Sequence, residues 1–188
     1  MKPTVTQATM IPSKEPSSDS SACTIAQAML DEFEREVITT RAFIERLPAD
    51  RLTWRPHEKS MTVGQLALHI AQTSEGVVRF ASPDEAIAPD FGAERPQPVS
   101  VREVLDALDT GAAYVRQTLG TWDDERMQAA FTILRDGRTL MSLPRALFLR
   151  NILLNHVYHH RGQFGVYLRL LGAQVPPSYG PSGDESPF

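Results

Sequence analysis

An all-α fold, a four-helix bundle, is predicted by three observations. Four segments repeat apolar residues at the helical period, two of them open on a Ser/Thr-x-x-Glu/Gln capping pattern, and the chain carries no internal repeat that would point to a solenoid. The first helix is expected from about Thr24 to Leu47, with Leu30, Phe33, Val37, Thr40, Ile44 and Leu47 as its buried stripe and Glu32, Glu34, Arg35 and Arg41 turned outward. Pro48-Ala49-Asp50 stops it, and Leu52 to Lys59 reads as a connector in which Arg55 is pushed out of the helical region by Pro56.

A second helix is predicted from Thr62, with Gln65 completing its capping box, to about Phe80, burying Leu66, Ile70, Thr73 and Val77 and leaving His69 at the margin of that stripe. The proline-rich stretch from Pro83 to Pro98 reads as a long loop of the kind that borders a site. A third helix is predicted from Ser100, boxed by Glu103, with Val104, Leu105, Leu108, Ala112, Val115 and Leu119 inward and Gly120 at its end. Residues 121–143 are ambiguous: Phe131–Leu134 and Arg138–Met141 flank Asp136-Gly137, a hairpin-type turn signal, so a short extended pair can interrupt the bundle between helices 3 and 4. The fourth helix is expected to run unbroken from Pro144 to Gly172.

Residues 1–21, rich in Ser, Thr, Pro and Lys and without periodicity, read as a flexible leader, and residues 22–188 as the bundle with a C-terminal tail. No apolar run approaches the ~20 residues of a membrane span, and the N-terminus carries no apolar stretch of the secretory type, so a cytoplasmic protein without membrane attachment is expected. The single cysteine, Cys23, precludes an internal disulfide and a Cys-rich zinc cluster, and reads as a small apolar residue opening helix 1. A net charge of −4 argues against nucleic acid as a partner. Residues 1–130 hold 13 basic and 20 acidic side chains, whereas residues 131–172 hold six arginines against Asp136 alone, which predicts pairing of the late arginines with the acidic helices. Outward-facing Phe148 and Tyr158 point to a homodimer.

The chemistry concentrates in Asn155-His156-Val157-Tyr158-His159-His160-Arg161-Gly162-Gln163. Residues i and i+4 on a helix have Cβ atoms about 5–6 Å apart, so His156 and His160 can share one ion at Zn–N distances of about 2.0–2.1 Å. On a wheel of 100° per residue, Leu149, Gln163 and Tyr167 fall within about 40° of this pair and Ile152 and Leu170 bound the arc, which puts the histidines at the centre of the buried face. His69 is the natural third donor. Three neutral nitrogens leave an open position on the ion, the mark of a catalytic site, whereas the plain alternative is a set of core histidines each bonded to a neighbour. Gln163 and Tyr167 face the same way and can orient a ring, and Thr73 can accept a hydrogen bond from His69. Gly162 predicts close approach of a neighbouring backbone; His57, in a polar connector, reads as an exposed loop histidine, and Arg161 as the partner of an acidic helix. Val157 stands where an H-E-x-x-H metalloprotease needs its glutamate, and no histidine follows a glutamate by three, which removes the di-iron bundle signature.

Taken together, Leu52-Thr53-Trp54-Arg55-Pro56, Ser60, Val63-Gly64-Gln65-Leu66-Ala67-Leu68-His69-Ile70, the His156-to-Gln163 run and Val175-Pro176-Pro177-Ser178-Tyr179-Gly180-Pro181-Ser182 resemble the DinB family of metal-binding four-helix bundles, also called DinB/YfiT-like, over about residues 24–182. The resemblance implies that His69, His156 and His160 are the metal ligands and that His159 is not. It further implies a divalent ion, zinc or nickel foremost, a low-molecular-weight thiol as cofactor and a small-molecule substrate for a thiol-dependent S-transferase. A metal-dependent hydrolase would use the same ligands, and a metal-stabilised stress-response or binding module without turnover is the reading of a different class.

Overall fold

The computed structural model describes residues 23–186 except Phe91; the predicted leader, residues 1–21, lies outside the described residues. In chain order it contains α1 (Ile25–Glu45), a 3₁₀ turn (Ala49–Arg51), α2 (Val63–Phe80), β1 (Glu85–Ile87), α3 (Val101–Leu119), α4 (Asp124–Gln128), β2 (Ala130–Arg135), β3 (Arg138–Pro144), α5 (Arg145–Leu149), a π turn (Arg150–Asn155) and α6 (His156–Leu170). The three long helices α1, α2 and α3 start where side-chain acceptors satisfy free N–H groups. Thr24 accepts from the Gln27 N–H, Thr62 and Gln65 form a reciprocal box, and Ser100 accepts from the Glu103 N–H. Glu103 returns its carboxylate to the Val99 N–H at 2.8 Å instead of closing the box on Ser100.

Two apolar clusters fill the interior. One gathers Leu30, Phe33, Val115, Phe131, Phe148 and Leu153 around the small sheet; the other gathers Ile44, Leu66, Ile70, Leu108, Phe164 and Leu168 between the C-terminal half of α1, the first turns of α2 and α3, and α6. The buried line of α2 runs through Ala67, Ile70, Ala71, Ser74 and Val78. Thr73 and Val77, predicted as core, therefore share its half-buried flank with His69. No helix among the described residues is long and apolar enough to cross a membrane.

The predicted all-α class needs correction, because β1, β2 and β3 form a three-stranded sheet in that order. The extended pair between the third and fourth predicted helices is present as β2–β3, antiparallel, with Ile133 opposite Met141, and Asp136 (φ 50°) and Gly137 (φ 72°) both take the left-handed conformations of a tight hairpin turn. The third strand, β1, pairs parallel to β2 within the stretch read as a loop. Its three residues are too few to show an alternating pattern. Phe131, fully buried on the inner face, packs against Phe80 and Phe148 with ring centroids 5.4 and 4.8 Å away.

The predicted fourth helix is also not uniform. Its first turn, α5, passes through the π turn before α6 begins at His156, and a π turn carries more residues per turn than the 3.6 assumed by a wheel. The buried residues of α6 are Val157, Arg161, Phe164, Tyr167 and Leu168, so His156 and His160 stand about a quarter-turn from the centre of its buried face and are half-buried. Ile152 and Leu170 are exposed. Phe148 and Tyr158, read as outward-facing, turn inward instead: Phe148 joins the core, and Tyr158 donates its hydroxyl to Glu32 at 2.5 Å because that flank of α6 packs on α1. The basis for a homodimer in those aromatics is thereby removed.

Close backbone approach is found at Gly64 rather than Gly162. A Cβ on Gly64 would lie 2.8 Å from both Gln97 Nε2 and the Leu52 carbonyl, whereas one on Gly162 would meet nothing within 4 Å. Gly64 thus lets the connector and the loop before α3 press onto the first turn of α2. Cys23 is exposed and not packed at the helix start.

Buried charge ties the elements together. Arg145, with no exposed surface, donates to the Ala81, Arg126 and Pro83 carbonyls at 2.8, 2.8 and 3.1 Å and to Asp84 at 2.7 Å, so its fork closes the C-terminal end of α2 against α4. Arg161 pairs with the buried Glu36 of α1 at 2.5 Å and accepts company from Tyr179 of the tail, whose hydroxyl takes a hydrogen bond from Arg161 at 2.7 Å and donates to Glu36 at 2.9 Å. Arg150 pairs with Glu32 of α1. The expected pairing of late arginines with an acidic helix holds for Arg150 and Arg161; Arg145 binds mainly carbonyls.

Candidate metal centre

α2 and α6 carry the three predicted ligands to one place. One ring nitrogen from each of His69, His156 and His160 lies within 4.8 Å of the other two, and the cluster contains no Asp, Glu or Cys. Ring centroids are 5.2 Å apart for His69 and His156, 4.7 Å for His69 and His160, and 4.4 Å for His156 and His160. His159 is exposed and stands outside the cluster, and His57 is an exposed connector residue whose Nδ1 accepts from the Lys59 N–H.

Gln163, one turn past His160, holds that ring in place. Its Oε1 lies 3.0 Å from His160 Nδ1, and its Nε2 donates to the Tyr167 hydroxyl at 3.2 Å. Tyr167 is in turn packed edge-on against Trp54, with ring centroids 5.8 Å apart, so the chain of contacts runs from the connector to the ligand. The expected roles of Gln163 and Tyr167 as orienting groups are compatible with this geometry. Thr73 does something else: its hydroxyl donates to the His69 backbone carbonyl at 2.6 Å, the usual retreat of a threonine inside a helix, and it does not meet the ring.

The protonation pattern tests whether a cation fits. With His160 Nδ1–H donating to Gln163, His160 Nε2 presents a lone pair, and it lies 2.7 Å from His156 Nε2. If those two nitrogens share a proton, it must sit on His156 Nε2, which leaves His156 Nδ1 bare, buried and without a hydrogen-bond partner. If a cation stands in place of that proton, both Nε2 atoms are bare and His156 Nδ1 keeps its hydrogen, beside the Ile152 carbonyl that favours a proton there without reaching hydrogen-bond geometry. The second arrangement puts a hydrogen, not a lone pair, on the side of His156 whose proton affinity the Ile152 carbonyl raises. The residues present therefore fit a divalent ion.

Burial keeps all three rings neutral and ready to ligate. Loss of solvation pushes His69 down to about 4, helped by the neighbouring His160, His156 and Arg95. Desolvation likewise takes His160 down to about 4 against the opposing Gln163 hydrogen bond, and lowers His156. Unfolded imidazoles titrate near 6.5, so between about pH 6.5 and 4 the unfolded chain binds more protons than the folded one. Stability of the metal-free protein is then full above pH 6.5 and falls as pH drops towards 4. Urea unfolding of chelator-treated protein at pH 7.5, 6.0 and 5.0 should show the midpoint decreasing, and a His69→Phe variant should flatten that dependence.

Arg95 was not foreseen from the sequence. It lies in the loop before α3, and no periodicity or motif marks it; only the fold brings its charge to bear on His69 and His160. On the other flank of α6, an open groove of about 460 Å³ runs between Gly162, Gly165, Arg169 and the tail residues Val175 to Gly183, and none of the three histidines lines it.

The model of the DinB family matches residues 20–186. Protein YrdA of Bacillus subtilis (strain 168), described as uncharacterised, is 26% identical over 162 residues, spanning 83% of this chain and 89% of its own. Among solved structures, a DinB-like protein of Bacillus cereus ATCC 10987 is similar with a TM-score of 0.62 at 25% identity, over 84% of this chain and 99% of that one. A DinB-like protein of Bacillus subtilis shares the fold, with a TM-score of 0.61 at 19% identity over 86% and 99% of the two chains.

Proposed function

Because the chain belongs to the DinB family and sets three neutral imidazoles around one point at the margin of its core, we propose that it is a mononuclear metal-dependent enzyme, an S-transferase that uses a low-molecular-weight thiol on a small-molecule substrate. The observation that carries this reading is the composition and placement of the ligand set. Three nitrogens without a carboxylate or thiolate leave both the charge of a divalent ion and at least one of its positions unsatisfied. A site meant only to fasten α2 to α6 would gain by closing the shell. Half-burial places the cluster within reach of solutes.

His69, His156 and His160 would hold the ion, zinc or nickel. When bound, a divalent cation lowers the pKa of a thiol or water that joins it and so supplies a nucleophile at neutral pH. Gln163 keeps His160 in the tautomer that presents Nε2, and Tyr167 and Trp54 brace Gln163 from behind. The apolar wall of the second cluster, with Leu66 and Phe164 fully buried, limits water on the inner side. Hydrolysis with water as the nucleophile would employ the same residues.

The reading is tested by loading the full chain with Co(II) and recording its visible spectrum with and without small thiols. A new thiolate-to-metal charge-transfer band, saturating at one equivalent per cobalt, is the expected result. A spectrum that no thiol alters, together with a large drop in melting temperature on chelation, would instead identify the ion as a structural tie.

A further inference from the structure

We infer that Arg95 is a specificity-determining residue of this site, binding a carboxylate carried by the small thiol or substrate; this rests on the metal-centre reading above. The loop that bears Arg95 is built onto the first turn of α2. Gln65, one turn before His69, donates its amide to the Arg95 carbonyl at 3.0 Å. Gln97 accepts from the Thr62 hydroxyl at 2.7 Å and donates to the Leu52 carbonyl at 3.1 Å, and Pro98 packs so closely that a Cβ on Gly64 would lie 3.1 Å from its ring. The backbone at Arg95 is therefore anchored beside the ligand helix.

Its side chain is not used by the fold. Arg95 is exposed and has no ion-pair or side-chain hydrogen-bond partner among the described residues, whereas Arg145, Arg150, Arg161 and Arg169 are all committed to acids or carbonyls. Gln65, which holds the Arg95 carbonyl, stands four residues before His69 and so on the same stripe of α2, which sets the exposed Arg95 one helical turn from that ligand. A divalent ion held by three neutral nitrogens adds two further positive charges, and the cluster contains no acid to balance them. The molecule that enters must bring the negative charge. A planar guanidinium on an anchored loop matches a carboxylate through two parallel hydrogen bonds, and a ligand with a sulfur for the metal and a carboxylate for Arg95 would satisfy both cations at once.

The test compares 3-mercaptopropionate with 2-mercaptoethanol as probes of the Co(II)-loaded full chain, read from the charge-transfer band, in wild type, Arg95→Ala and Arg95→Lys. Using the ratio of the two affinities within each protein cancels the intrinsic difference between the thiols. Arg95→Ala is expected to lower the ratio about tenfold or more, with cobalt affinity no weaker than in wild type and the response to 2-mercaptoethanol retained, and Arg95→Lys to retain part of the preference. Equal ratios in wild type and Arg95→Ala, or cobalt uptake with no response to either thiol, would overturn the assignment of Arg95. Failure of wild type to take up cobalt would overturn the metal reading itself, and the assignment with it.

Discussion

Replacing His160 with alanine is expected to weaken divalent-metal binding by more than about 100-fold, and Gln163→Ala by about 10–100-fold. The second figure is the usual effect of removing the group that orients a ligating imidazole; the first must exceed it, because the variant loses the ligand as well as its orientation. His156→Ala and His69→Ala should behave as His160→Ala does. His159→Ala should bind as wild type does, since that ring is exposed and outside the cluster. Competition titration against a chromophoric chelator measures the five variants and wild type on one scale, and elemental analysis of the purified proteins checks it. Wild-type affinity in His160→Ala would remove the metal centre from consideration, and wild-type affinity in Gln163→Ala would show that the 3.0 Å contact does not orient the ring.

Arg145→Ala is expected to cost about 3–5 kcal/mol of folding stability, through the cavity left by one of the largest fully buried side chains and the loss of its bonds to carbonyls. The guanidinium has no exposed surface, and three of its four hydrogen bonds go to the carbonyls of Ala81, Arg126 and Pro83. The Ala81 carbonyl, in a buried residue, would be left unpaired, whereas Pro83 is exposed and its carbonyl can turn to water. For a domain of this size the loss corresponds to roughly 6–20 °C in melting temperature. Asp84→Asn should do far less, because the Asp84 side chain is 80% exposed and water can replace it as a partner. Arg145→Lys should resemble alanine more than wild type, since one ammonium cannot reach three carbonyls in the geometry of a fork. Thermal and urea unfolding decide among these outcomes. Metal stoichiometry of the folded fraction should be unchanged, because Arg145 serves the cluster around the sheet and the histidines border the other one.

The parts of the fold set by local chemistry were legible in the sequence. The start of the first helix at Thr24, the caps at Thr62 and Ser100, the stop at Gly120 and the Asp136-Gly137 turn are decided within a few residues, and each stands where the sequence reading puts it. The i, i+4 histidine pair and the marginal position of His69 were legible for the same reason. What failed depended on distant partners or on a departure from ideal geometry. β1 exists through pairing with β2, more than forty residues later, and its three residues carry no pattern of their own. Arg145 looks like any surface arginine until the end of α2 is brought against it. The π turn from Arg150 to Asn155 contains nothing that distinguishes it from an apolar helix, and a wheel drawn straight through it misplaces Ile152 and centres the histidines on a face that they only border. The same wheel treats the side of α6 opposite the ligands as solvent-facing, although α1 covers it through Glu32 and Glu36.

That π turn divides the last helical stretch into two parts that can be aimed separately. Deleting one residue between 150 and 155 would remove the extra residue of that turn and restore ordinary winding, with Phe148 and Leu149 left nearly in their present register relative to everything downstream and the four-residue interval from His156 to His160 intact. The joint therefore absorbs a one-residue change in length while both the seating of the final helix and the grip of its two imidazoles are kept. The same deletion between His156 and His160, where the winding is regular, would break that grip and turn the rest of α6 by about 100°.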